Sequence, residues 1–80
     1  MDKGNLVDMA NRIGDFFESM PDHEEALTGI ADHIRRFWEP RMRRELLATL
    51  DAPATAELAM SAIVREALLK HRDELTPVAV

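Results

Sequence analysis

Apolar residues return every three or four positions along nearly the whole chain, and prolines at 21 and 40 cut that rhythm into segments. This pattern constrains the fold more than any other feature. A 3.6-residue period selects amphipathic helices, and no stretch shows the two-residue alternation of a half-buried strand. In the first segment Leu6, Met9, Ala10, Ile13, Phe16, Phe17 and Met20 form the stripe, which Pro21 ends. Asp22 then supplies a helix cap, and Glu25 three residues on can reach back as in a capping box. The second segment carries Leu27, Ile30, Ala31, Ile34 and Trp38 on one stripe, with Phe37 at its edge. Pro40 disfavours helical geometry at Glu39 and suits the first position of a third helix, whose apolar residues are Met42, Leu46, Leu47 and Leu50. "DAPAT" (51–55) reads as a loop before a fourth helix, and the "TPVAV" tail reads as frayed. The expected fold is all-α: one domain over residues 1–80, a small bundle of three to four helices at about 4–20, 23–38, 40–50 and 56–74.

Each long helix also offers an acid four residues before a base: Asp8/Arg12, Asp32/Arg36 and Glu66/Lys70. Such pairs add about 0.3 kcal/mol each and read as solvated surface. The fourth helix is apolar on two faces. Leu58, Ala62 and Leu69 lie on one, and Met60, Val64, Ala67, Leu68 and Leu75 on a broader second. A helix apolar on two sides is normally buried on two sides. Either it is packed centrally by the other three, or one face is left as a docking face for another subunit.

Eighty residues make a modest core, and chains this short usually lean on disulfides, a metal, tight helix packing or a partner. With no cysteine, disulfides, thiolate zinc sites, iron–sulfur ligation and cysteine nucleophiles are excluded. No apolar run approaches the ~20 residues of a membrane span. Acids interrupt the N-terminal stretch, which lacks the apolar core of a secretory signal. A soluble, cytoplasmic protein is expected.

Formal net charge is −5, which argues against general nucleic-acid binding. The charge is unevenly spread. Residues 1–32 carry eight acids against Lys3 and Arg12, a balance of −6, whereas residues 35–45 carry five arginines against Glu39 and Glu45, a balance of +3. Half of the ten basic residues therefore sit at one corner, around "FWEPRMRR" (37–44).

Little else suggests chemistry. His23, His33 and His71 are scattered without metal-ligand spacing, no serine or threonine sits in a glycine-flanked elbow, and three isolated glycines make no phosphate loop. No catalytic, cofactor-binding or metal-binding residue is expected, and no cofactor bound by this chain. At the corner, arginines at the end of helix two favour its negative pole, and Trp38 reads as core. Arg41, Arg43 and Arg44 instead fall at the positive pole of helix three, where cations are locally unfavourable. An acidic partner surface, a carboxylate of this chain's own first helix, or a phosphate-bearing ligand would each account for them. Two lesser positions stand beside them. Asn11 lies in a row with Val7 and Gly14, where an amide beside a glycine permits close approach of another backbone. His33 shares an edge with Phe37.

These residues carry a family resemblance. "LVDMANRIGDFF" (6–17), "IADHIRRFWEPRMRREL" (30–46) and, weakly, "IVREAL" (63–68) are similar to the small delta subunit of soluble, molybdenum-containing, NAD-dependent formate dehydrogenases. Glu39 stands where that family typically has aspartate. The resemblance implies a non-catalytic accessory subunit of a complex that oxidises formate to carbon dioxide and reduces NAD. The partner would be the large catalytic subunit, holding the molybdenum cofactor and iron–sulfur clusters, with FMN in a further subunit. The chain would support assembly, stability or cofactor retention. On matched positions the resemblance implies contact residues Asn11, His33, Trp38, Pro40, Arg41, Met42 and Arg43, to which the corner adds Arg44. Two other readings remain open: a maturation chaperone that holds the molybdenum cofactor's phosphates with the same arginines, and a small helix-turn-helix-like DNA binder reading with helix three.

Overall fold

A computed structural model describes residues 3–51 and 59–77. Its elements are α1 (Lys3–Glu18), α2 (His23–Phe37), α3 (Pro40–Ala48), one turn of 3-10 helix (Thr49–Asp51), α4 (Ala62–Lys70) and a short α5 (Arg72–Leu75). No strand occurs among the described residues, so the protein is all-α as expected.

The breaks follow local chemistry. Helix α1 stops at Glu18, three residues before Pro21, and the Met20 amide closes the turn on the Phe17 carbonyl at 3.0 Å. Asp22 caps α2: its Oδ1 accepts from the amides of Glu24 (2.9 Å) and Glu25 (3.2 Å). Glu25 makes no return bond, so the expected capping box is only half formed. At the other end Trp38 and Glu39 are extended, with ψ of 137° and 153°, and Pro40 then opens α3. The missing amide of a proline costs nothing at that position.

Helix α4 packs across α1 and α2, while α3 contacts α1 and α5 contacts α2. The core so enclosed holds Leu6, Val7 and Ala10 from α1, five residues of α2, Trp38, Leu46 and Leu47, and Ile63, Val64, Ala67 and Leu68 from α4. The broad face of α4 is therefore covered by this chain's own helices, which decides between the two alternatives for that face in favour of internal packing. The face left outside is the narrow one, where Ala62 is exposed and Leu69 is 51% exposed; Leu58 lies outside the described residues.

Three expectations are corrected here. Residues 59–61 precede α4 without helical geometry, and residues 56–58 of the expected helix lie outside the described residues. The helix also breaks at His71 (φ −108°, ψ 21°), and the bend sends Leu75 into the core. Nor do Glu66 and Lys70 pair with each other. Glu66 meets His23 at 2.9 Å and Lys70 meets Glu24, so both tie α4 to the start of α2. The Asp8–Arg12 and Asp32–Arg36 pairs form as expected, at 3.3 and 3.0 Å.

Glu39 caps α3 without a side-chain hydrogen bond, because its extra methylene carries the carboxylate past the first-turn amides. Glu39→Asp is expected to stabilise the protein by about 0.5–1 kcal/mol, raising the thermal midpoint by roughly 3–6 °C. A circular-dichroism melt that is unchanged or lowered would contradict the capping assignment.

Candidate partner interface

The arginine corner resolves into residues with very different surroundings. Arg35 and Arg36 at the end of α2 share one carboxylate, Asp32, at 3.3 and 3.0 Å. The hydrogen bond from Arg36, supported by that from Arg35, holds the Asp32 carboxyl below its usual range against a smaller opposing desolvation. Because that value is depressed, the tie is present above the ordinary carboxylate range and lost only as pH falls through the lowered one. At neutral pH these two cations are already neutralised by half.

Arg41, Arg43 and Arg44 are not. The nearest acid to Arg41 is Glu45, one turn on in the same helix, at a loose 3.9 Å. Arg43 is half-buried; its Nη1 donates to the Leu75 carbonyl at 3.4 Å, and its Nε is buried with no partner among the described residues. Arg44 is exposed and makes no ion pair among the described residues. None of the three reaches an acid of α1, so pairing with the first helix is not what holds them. Together Arg35, Arg43 and Arg44 line a cleft of about 460 Å³ with Pro40, Glu74, Thr76 and Pro77. Its one acid, Glu74, already meets His71 Nδ1 at 3.2 Å. A planar carboxylate or a phosphate oxygen is the group such a cleft takes, since guanidinium forks match both.

The other expected contact residues lie elsewhere. Trp38 is only 6% exposed and belongs to the core, and Met42 packs against that core from its edge. Both position α3 beneath the arginines. Asn11 is occupied by this chain itself: its Nδ2 donates to the Ala59 carbonyl and its Oδ1 accepts from the Ser61 amide, each at 2.9 Å. The close approach expected of an amide beside a glycine does occur, with the segment 59–61 just before α4 as the approaching backbone. A Cβ on Gly14 would stand 2.6 Å from Val64 Cγ2, inside any tolerable contact.

His33 belongs to a second surface. With Arg12, Ile13, Phe16 and Phe17 it lines a groove of about 370 Å³ between α1 and α2. Phe37 lies against the His33 ring, centroids 4.9 Å apart, and Phe16 meets Phe17 edge-on at 5.1 Å. Phe16 and Phe37 are 73% and 72% exposed. Sequence reading missed both as surface residues, taking Phe16 as part of the α1 stripe and Phe37 as the edge of the α2 stripe. The available signal was only that Phe37 sits at the edge of the α2 stripe, as the last residue of that helix.

The family described as "NADH-dependant formate dehydrogenase delta subunit FdsD" matches residues 5–68 of the chain. The chain belongs to this family. No curated protein matches it, and no solved structure does. The match spans most of α1, all of α2 and α3 and most of α4, and the seven contact residues expected from the resemblance fall within it together with Arg44. The chain is thus a formate dehydrogenase delta subunit by family, and the family's name places it in a multi-subunit enzyme. Among the described residues no group of His, Cys, Asp and Glu is placed to hold a metal, and no helix is long and apolar enough to cross a membrane.

In this delta-subunit fold Asn11 is a fastening. Asn11→Ala removes both bonds and strands the Ser61 amide, and is expected to destabilise the chain by about 1–3 kcal/mol. Urea unfolding checks this; a midpoint equal to wild type would show that residues 59–61 are held by something else.

Proposed function

We propose that the chain is a non-catalytic accessory subunit that docks on the large, molybdenum-bearing subunit of a formate dehydrogenase and supports its assembly, stability or cofactor retention. The observation that carries this reading is the α3 arginine cluster. Arg41 stands in the first turn of its own helix, at the positive pole, with its acid at a loose 3.9 Å; Arg43 follows with a buried Nε unpartnered among the described residues, and Arg44 makes no ion pair among them. That arrangement is unfavourable in the free chain. It becomes favourable when a partner's carboxylates close over the cleft, and the rigid Pro40 turn and the buried Trp38 fix the register of that contact.

The cleft's chemistry also fits a phosphate group, which keeps the maturation-chaperone reading in view; a purified chain that retained the pterin cofactor by itself would favour it.

Arg41 and Arg44 are both exposed, so reversing them leaves the core intact. The Arg41→Glu/Arg44→Glu variant is expected to melt within a few degrees of wild type yet bind the large subunit at least ~100-fold more weakly. Co-purification from cells expressing the whole complex, with formate-dependent NADH production assayed on the eluate, measures it. Undiminished recovery of active enzyme with the double variant would sink the clamp.

A further inference from the structure

We propose that the aromatic groove between α1 and α2 is a second docking surface, taking an uncharged apolar side chain of the same partner that closes over the arginine cleft. The inference rests on the accessory-subunit reading above and adds a surface that the reading does not need.

The groove is built from both helices. Ile13, Phe16 and Phe17 come from α1, and His33 from α2, with Phe37 extending the same surface beyond His33. Phe17 lies flat against α2 because Gly29 has no side chain: a Cβ there would sit 2.6 Å from Phe17 Cε1. That packing leaves Phe16 standing outward at the rim. Single exposed apolar residues are ordinary, but two phenylalanines joined through Phe17 and His33 into one surface are a patch.

Three observations specify the occupant. The charges beside the groove are settled internally, Arg12 by Asp8 at 3.3 Å and Arg36 by Asp32 at 3.0 Å, so nothing there selects a charged group. The area is the second. A phenylalanine exposes roughly 150–250 Å² when bare, so two that are 73% and 72% exposed offer about 200–350 Å² between them. A stable interface takes about 800 Å² from each partner. A second copy of this chain meeting groove to groove would therefore fall well short, whereas a larger partner that also fills the arginine cleft would not. The third is continuity. Arg35, which lines the cleft, and Phe37, which extends the groove, lie two residues apart at the end of α2, one on each side of it. A partner wrapped around that helix end reaches both.

The test compares wild type with Phe16→Ser/Phe37→Ser, each expressed tagged with the intact dehydrogenase. Phe37→Ser alone serves as a second variant, since that ring's aromatic contact is with His33. Expected are melts close to wild type, at least ~30-fold weaker association for the double variant, and sedimentation of the isolated wild-type chain as a monomer. Equal recovery of dehydrogenase subunits by wild type and both variants would overturn the groove and leave the accessory-subunit reading standing. Recovery of no dehydrogenase subunit by wild type would overturn both. An isolated chain that sediments as a dimer, and becomes monomeric in the double variant, would make the occupant a second copy and overturn the assignment.

Discussion

Two hydrogen bonds from one amide decide where the second half of this chain lies. With no cysteine, nothing covalent holds α4 against the first three helices, and Asn11 takes that role by bonding the backbone of Ala59 and Ser61. One turn along the same helix, Gly14 removes the side chain that would keep α4 away, so Val64 and Ile63 settle onto bare backbone. Everything downstream inherits that placement. Val64, Ala67 and Leu68 close the core, the bend at His71 turns Leu75 inward, and the Leu75 carbonyl then meets Arg43. Arg72 fastens the end of the chain to Asp51 at 2.9 Å, an ion pair that holds the Asp51 carboxyl below its usual range and raises Arg72. The cationic cleft is thus built jointly by the end of α2, by α3 and by the chain that follows α4.

The distribution of charge follows from the same packing. His23–Glu66 and Glu24–Lys70 stitch α2 to α4 across the surface. Exposed pairs of this kind contribute about 0–1 kcal/mol each, so their main effect is to use up acids that would otherwise be free. Asp32 is used up by two arginines and Asp51 by Arg72. Of the three arginines without an ion pair among the described residues, Arg65 lies on α4, and Arg43 and Arg44 lie together on α3 just after its positive pole.

How much of this was legible in the sequence depended on range. The helix starts at His23 and Pro40 were readable because caps and prolines act within four residues. Asp8 with Arg12 was readable for the same reason. Glu66 and Lys70 had equally good local spacing, yet each found a better partner on α2, which no local pattern reveals. Periodicity showed that α4 has two apolar faces but not which one had neighbours, since that depends on the close approach at Gly14. Asn11 and Gly14 were visible as an amide beside a glycine; that the approaching backbone was the chain's own was not. Phe16 was hidden by its own regularity: it continues the α1 stripe, but the stripe is wider than the helices covering it. The arginine corner was the most legible part of the candidate site, because a cation at a helix N-terminus is anomalous by local rules alone.

That anomaly and the exposed phenylalanines belong to one kind of argument. The molecule measures 34 × 32 × 18 Å, and helices with side chains are about 10–12 Å across, so it is less than two full helix diameters thick. In so thin a slab every helix must turn a face outward, and stability asks only that this face be polar. On α2 the rule is kept by Asp32, Arg35 and Arg36 and broken by Phe37; on α3 the choice of polar residues is kept and their sign is wrong for the dipole. A fold consistent at every level would contain neither departure, and departures of this kind gather where a sequence answers to something besides its own stability. Both meet at the two-residue turn between α2 and α3. Trp38, buried in that turn, anchors the backbone from which the two surfaces diverge, so the part of the chain that contributes most to holding the corner rigid is also the part least exposed to whatever binds it.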